Sequence, residues 1–407
     1  MDFEFTEEEK MFRESLRDLM EREFAPIVNE RDRQGPFTRK EAIEVMQKFK
    51  KIGIGLDPEG SRELIGNPVI FAIFAEVVGG VWPSILPIFG MGSIPAMFIP
   101  LASDEVKSRL MPRLESGEFI GCFAETEPEA GCDTSNLKTT AVLEGDYYVI
   151  NGSKTWISNA TIADTAFVAA IDTKTGAETF FLVEKDISPW EANELHKIGW
   201  RASPTGEMFF EDCRVPKENE IGALMSEAFK LGPKLKEVLP VSDGFMKLLN
   251  TMTPVTALLT TPRAGMGLVS VGIAQAALDA SINYAKERKQ FGKPIGKFQL
   301  IQEMLYEMSV LTETARLLGY KAIDSIVKGD PDARRLSSMA KVYGGEAAVK
   351  VTYNAIQIHG GMGLADEMPL ERYFRDARMM TIPDGTSEIM KLITGYTLLG
   401  KGFSAYA

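Results

Sequence analysis

The residues that could do chemistry gather around one short run. Arg375–Ile389, RDARMMTIPDGTSEI, ends a helical pattern and enters a Pro383-Asp384-Gly385 turn that holds a single carboxylate. A carboxylate works as a general base near neutral pH when a water-poor site raises its pKa from about 4. Other chemistries find few residues. Cys122, Cys132 and Cys213 fit no metal spacing, and an odd, sparse count suggests a reducing compartment. His196 and His359 complete no Ser–His–Asp or metal set, so both read as structural or surface residues. A net charge of −12 argues against a nucleic-acid footprint.

Arg375, Asp376, Ala377, Ile382, Gly385 and Thr386 resemble the signature RDA(K/R)xxxIYEGTxxI of the acyl-CoA dehydrogenase family. Two positions depart: Pro383 replaces the usual Tyr, and Asp384 the usual Glu. Phe123-Ala-Glu-Thr126-Glu-Pro128 with Gly131-Cys132-Asp133 resembles TEPxAGSD, and carries Thr126 over as a contact of the flavin edge. Cys132 replaces a Ser that lies near substrate in the family, and a thiol is a weak hydrogen-bonder. Trp156-Ile-Ser158-Asn159 resembles WITN, whose Trp lies against the isoalloxazine and whose hydroxyl bonds it. Arg288-Lys-Gln-Phe291-Gly292 resembles RxQFG, whose Arg bonds the cofactor diphosphate across a subunit boundary. Gln357-Ile-His-Gly360-Gly361 resembles QxxGG, whose Gln and glycine backbone approach the ADP moiety from another subunit.

The resemblance therefore implies FAD, held by Phe123, Thr126, Trp156, Ser158, Arg288, Phe291, Gln357, Gly360, Gly361 and Thr386. It places Cys132, Arg263 and Gly385 on the substrate side and Asp384 as the base. It also implies an acyl-CoA substrate, an electron-transfer flavoprotein as electron acceptor, and a cytoplasmic homotetramer. Some family members carry their base beside the position of Arg263, but that residue here is Pro262, which leaves Asp384 as the only aligned acid.

The elements that must position these residues follow from pattern alone. Residues 1–120 read as an all-α domain, opening on a Thr6–Glu9 capping box and a helix with Met11, Phe12, Leu16, Leu19 and Met20 inward. The acidic, amphipathic start is not a signal peptide. The uncharged run Val81–Leu101 is rich in Pro and Gly, so it reads as a buried, bent helix pair rather than a membrane span. Residues 121–220 read as a β-barrel-like domain, with hairpins expected at Asn151-Gly152 and at Thr173–Gly176. Residues 221–260 read as an insertion. Residues 261–407 read as a four-helix bundle, with helices over 263–289, 298–328 and from Asp330-Pro331 to a stop at Gly360-Gly361. The fold class is α+β.

In the family, a carboxylate takes the α-proton of the thioester as hydride leaves Cβ for flavin N5, and a backbone amide (here that of Asp384) helps polarise the carbonyl. Asp in place of Glu withdraws the carboxylate by about 1.5 Å, where roughly 1 Å of misplacement can cost a hundredfold. A ring or α-branch on the acyl group would fill that gap. The expectation is thus a dehydrogenase of an alicyclic acyl-CoA such as cyclohexane-1-carboxyl-CoA. Three alternatives stand beside it. A benzylsuccinyl-type dicarboxylic thioester would need a counter-ion such as Lys230, Lys234 or Lys236. An Asp-base oxidase of the nitroalkane type would need no CoA site. A flavin-binding assembly protein would need no base.

Overall fold

The computed structural model describes residues 4–231, 239 and 241–403. α1 (Glu7–Leu19) starts at the Thr6–Glu9 capping box, with both reciprocal bonds formed, and continues as a π turn over Met20–Phe24. Leu16, Leu19 and Met20 are buried as expected, whereas Met11 lies on the outer face. The N-terminal layer continues with α2 (Val28–Arg33), α3 (Arg39–Lys50), α4 (Pro58–Leu64), α5 (Pro68–Val81), α6 (Leu86–Phe98) and α7 (Asp104–Ser116). The apolar run forms the bent pair: α5 stops at Val81, a turn at Pro83–Ile85 redirects the chain, and α6 follows. Pro83–Leu101 and Thr256–Glu287 are long and apolar enough to cross a membrane, yet 56% and 72% of their windows are buried inside this fold.

β1 (Gly121–Ala124), β2 (Thr140–Glu144), β3 (Tyr147–Ser158), β4 (Thr165–Asp172), β5 (Glu178–Glu184), β6 (Glu191–Glu194) and β7 (Thr205–Pro216) form one seven-stranded sheet. Its order is β1-β4-β2-β3-β7-β6, with β5 beside β4. The Thr173–Gly176 hairpin forms, pairing Ala166 with Val183. Asn151-Gly152 does not turn the chain. β3 runs through it, and β2 joins β3 at Gly145-Asp146 instead. The register with β7 shifts between Ile150 and Gly152, so the pair is a bulge. A Cβ on Gly152 would lie 2.5 Å from Thr139 Oγ1; the glycine is there for close approach, not for a turn.

In the long connection, α8 (Ile221–Leu231) feeds Leu224 and Ala228 into the core shared by the N-terminal helices and the sheet. α9 (Asp243–Leu248) feeds Leu248 into the bundle core. Lys230 pairs with Glu227 on the surface of α8 at 2.5 Å, while Lys234 and Lys236 lie outside the described residues.

α10 (Pro254–Glu287) begins before the expected start at residue 263. Thr253 caps it and Pro254 takes its first position, so Pro262 lies inside the helix. An interior proline costs a backbone bond, and packing on two sides of α10 offsets that cost. On one side Gly267 meets α12 (Ala333–His359), where a Cβ on Gly344 would lie 2.7 Å from the Gly267 carbonyl. On the other, a Cβ on Gly272 would fall 2.1 Å from the Glu76 carbonyl of α5. α11 (Gln299–Lys328), α13 (Leu370–Met379) and α14 (Ser387–Leu399) complete the bundle. Met308, Ala315 and Ala322 of α11 are buried, while Leu300 is exposed at its first turn.

Candidate active site

Between α13 and α14 the chain makes a tight loop, closed by a bond from Ser387 N to the Thr381 carbonyl at 3.0 Å. Asp384 and Gly385 sit at its apex with φ of 57° and 94°, two left-handed residues in succession. Gly385 is required there, because a Cβ would also strike Met390 Cε at 2.5 Å. Asp is among the few other residue types that accept this conformation. Two cations hold the apex. Arg263 of α10 donates its Nε to the Asp384 carbonyl at 3.1 Å, and Lys341 of α12 donates its Nζ to the Gly385 carbonyl at 2.6 Å.

The Asp384 carboxylate itself receives no hydrogen bond from the described residues. Burial pushes its pKa up, and the charges of Arg263 and Lys341 only partly pull it back. A carboxylate that is desolvated, unpaired and near two cations is suited to accept a proton.

The first half of the same motif does different work. Arg375 pairs with Asp32 of α2 at 3.3 Å and with Glu371 at 2.6 Å, and donates to the Ile198 carbonyl. Asp376, fully buried, accepts from Trp200 N at 2.7 Å. Arg372 bonds Asn29 and the Val81 carbonyl. This charged joint fastens α13 to the N-terminal layer and to the sheet, and so fixes the height of the loop that follows.

Across from the loop, the sheet presents the second group. Glu127 accepts from Lys138 N, Thr139 N and Lys154 Nζ at 2.6, 3.0 and 2.7 Å, and its ion pair with Lys154 is almost wholly buried. Lys154 also donates to the Glu125 carbonyl at 2.9 Å. Thr126 lies between these anchors, its carbonyl accepting from Thr155 N. A register shift in β3 between Lys154 and Ile157 turns Trp156 outward at φ 60° and leaves the indole 58% exposed. Ser158 ends the same strand, opposite Thr205. Asn159 donates to the carbonyls of Pro87 and Gly121, tying α6 to this edge. Phe123 stacks on Phe180, Phe180 on Phe167, and Phe167 on Phe98 of α6. Phe98 ends this ladder, and along the same helix Met91, Ile94 and Met97 also stay partly exposed.

The remaining site residues gather at another end of the bundle. Tyr284 of α10 stacks on the buried His359 of α12, with ring centroids 4.2 Å apart. Arg288 follows Tyr284 by one turn and leads to the Phe291-Gly292 hairpin tip, while Gln357, Gly360 and Gly361 flank His359 at the end of α12. Phe291 is 93% exposed. Arg288, Gln357, Gly360 and Gly361 are exposed as well, and Arg288 has no side-chain partner among the described residues. No hydrogen bond, ion pair or ring contact joins this group to the sheet group within the described residues. Cys132 is exposed on the loop after β1. Thr386 spends its hydroxyl as the cap of α14, accepting from Ile389 N at 3.3 Å.

The residues fit a flavin. An outward indole on a strained strand position offers a flat ring a face. The glycines at the end of α12 leave backbone open, with nothing within 4 Å of a Cβ at Gly360 or Gly361. The unpaired Arg288 offers a fork to a diphosphate.

Sequence reasoning missed Lys341, Glu125 and the Glu127–Lys154 pair. Lys341 lies among Ser337, Ser338, Gly344 and Gly345, small residues at helical spacing. A lone lysine on such an inward face was its available signal. Glu125 is partly buried, and burial and the nearby Glu178 push its carboxyl up. Among the described residues no group of three or more His, Cys, Asp and Glu could hold a metal.

Family models match along nearly the whole chain: the acyl-CoA dehydrogenase N-terminal domain over residues 6–118, the middle domain over 122–213 and the C-terminal domain over 252–399. A probable acyl-CoA dehydrogenase of Bacillus subtilis is 36% identical, over 98% of this chain and all of that one. A caffeyl-CoA reductase–Etf complex subunit of Acetobacterium woodii is 34% identical, over 98% and 100%. The solved structure of a glutaryl-coenzyme A dehydrogenase with glutaryl-CoA superposes with a TM-score of 0.81 at 32% identity, over 98% and 97%. Three matched domains in order, and a carboxylate on the loop where their signature lies, make this chain a member of the acyl-CoA dehydrogenase family, flavoprotein oxidoreductases that act on CH–CH bonds.

Proposed function

We propose that this chain is an FAD-dependent acyl-CoA dehydrogenase of alicyclic or α-branched thioesters, with cyclohexane-1-carboxyl-CoA as the best candidate. The observation that carries the reading is Asp384: a short acid, unpaired and partly desolvated, on a left-handed turn pinned by Arg263 and Lys341. Its carboxylate takes the α-proton, and the fixed turn holds it at the place a ring or branch brings that proton to. The Asp384 amide, on the same turn, polarises the thioester carbonyl. Met91, Ile94, Met97 and Phe98 give the acyl group an uncharged wall. When bound, the flavin supplies the hydride acceptor.

Phe123, Thr126, Trp156 and Ser158 hold the flavin ring on one copy, and Arg288, Phe291, Gln357, Gly360 and Gly361 reach its adenosine diphosphate from another, in a cytoplasmic homotetramer. Cys132 lies along the CoA arm. Thr386 acts on the site through the loop it caps. Electrons pass to an electron-transfer flavoprotein, and the similarity to an Etf-complex subunit supports that partner.

One observation favours a second substrate. Arg334 Nε is buried without a partner, and its charge is felt by Arg263. A distal carboxylate, as in a benzylsuccinyl-type thioester, would give that donor an acceptor, and Arg334 would serve as its counter-ion in place of Lys230, which Glu227 already holds.

The test is a spectral titration of the flavin-loaded protein with cyclohexane-1-carboxyl-CoA, butyryl-CoA and benzylsuccinyl-CoA. Bleaching by the cyclic thioester in preference to the other two is expected. Butyryl-CoA bleaching at least as well would overturn the ring assignment, and preference for benzylsuccinyl-CoA would select the second reading.

A further inference from the structure

We propose that Lys341 is a positioning residue for the reaction, holding the Asp384 carboxylate on its target through the Gly385 carbonyl. The inference rests on Asp384 as the base.

Lys341 is fully buried. An ammonium inside a protein needs acceptors for its protons, and among the described residues the Gly385 carbonyl accepts from Lys341 Nζ at 2.6 Å. That bond falls one residue past the base. Arg263 takes the carbonyl of the base residue itself, at 3.1 Å. Two successive carbonyls of a left-handed turn are therefore held from two different helices. The distance between those helices is set by contact of their backbones. Gly267 lies one turn beyond Arg263, Gly344 lies nearly one turn beyond Lys341, and these two glycines touch. A shift of either helix would move one cation relative to the other and tilt the apex between them.

Asp has one methylene between backbone and carboxylate, so its carboxylate position follows the turn closely. A Glu could reposition through its extra torsion; an Asp cannot. The arrangement thus matters more here than it would with the longer acid.

The groups facing the Lys341 ammonium are Asp384 on the loop, Glu388 on α14, Cys132 on the loop after β1 and Arg263 on α10. Burial lowers the Lys341 pKa to about 8; the acids oppose that shift and Arg263 adds to it. The Lys341 share of the positive field on Asp384 is accordingly present at neutral pH and fades above about 8, while that of Arg263 persists.

The test uses flavin-loaded wild type, Lys341→Met, Lys341→Arg and Asp384→Asn, with flavin content checked for each. The rate of flavin reduction by the best thioester is followed from pH 5 to 10. The expectation for Lys341→Met is a rate lower by roughly a hundredfold, from about 1 Å of misplacement, with its acid limb moved to higher pH. Lys341→Arg, permanently charged, should restore the limb and keep its rate above pH 9, where the wild type falls. A Lys341→Met rate that drops with the acid limb unmoved would reduce Lys341 to a packing role and overturn the proposal. So would an unchanged rate. If Lys341→Met does not hold flavin, Lys341→Arg decides alone: a decline above pH 8 parallel to wild type overturns the proposal. Activity surviving in Asp384→Asn would remove the base assignment itself, a separate failure.

Discussion

Asp384→Glu restores the family's acid and so isolates what the missing methylene does. The added carbon advances the carboxylate by about 1.5 Å. At roughly a hundredfold per ångström, a straight-chain thioester whose α-proton lies out of reach of Asp should gain at least a hundredfold in kcat/KM. A ring that fills the gap should lose by a similar factor, because the longer acid meets it. Two competing effects are smaller. The intrinsic acidities of Glu and Asp differ by about 0.4 pH unit, worth roughly a factor of two to three. At φ 57° Glu is less tolerated than Asp, a cost of order 1 kcal/mol to stability, partly absorbed by the Arg263 and Lys341 bonds. Position should therefore decide the outcome, and the preference between cyclohexane-1-carboxyl-CoA and butyryl-CoA should invert. Stopped-flow flavin reduction with both thioesters measures it. A variant that improves or weakens on both substrates by the same factor would refute the reach argument.

Other perturbations probe the supports. Glu127→Ala leaves Lys154 buried and unpaired, so stability should fall by about 3–5 kcal/mol and flavin retention with it; denaturant unfolding and bound-flavin absorbance report both. Gly272→Val puts a side chain where the Glu76 carbonyl lies and should destabilise by about 1–3 kcal/mol or more, read as a lower unfolding midpoint with flavin spectra unchanged in the folded protein. Lys341 should also mark the pH dependence of stability. Its folded pKa of about 8 lies below the unfolded value near 10.5, so the unfolded chain binds more protons between these limits. Wild type should therefore gain stability relative to Lys341→Met as pH rises from about 8 to 10, by up to about 3 kcal/mol; equal slopes would count against the depressed value.

The sequence was legible where one residue type had one physical use. Thr6 and Glu9 formed their capping box, the Pro- and Gly-rich apolar run bent where it had to, and Gly360 ended its helix. It misled where a local signal served tertiary contact. Asn151-Gly152 looks like a turn, but the glycine answers to Thr139, the residue just before β2. Pro262 looks like a helix start, but Thr253 caps the helix and close packing carries the proline inside it. The site was half legible. Asp384 and Arg263 came from resemblance to the family's motifs, whereas the partner of Lys341 appeared only once α12 was laid beside the loop, because that partner is a backbone carbonyl and leaves no mark in side-chain pattern.

The central claim is that Asp384 removes the substrate proton. Single-turnover reduction of flavin-loaded Asp384→Asn by cyclohexane-1-carboxyl-CoA tests it most directly, since Asn keeps size and turn propensity while losing the base. The account predicts a rate lower by about 10²–10⁴-fold with thioester binding retained. A rate within tenfold of wild type would contradict it and move the proton to another group in the cleft, with Glu125 the first to examine.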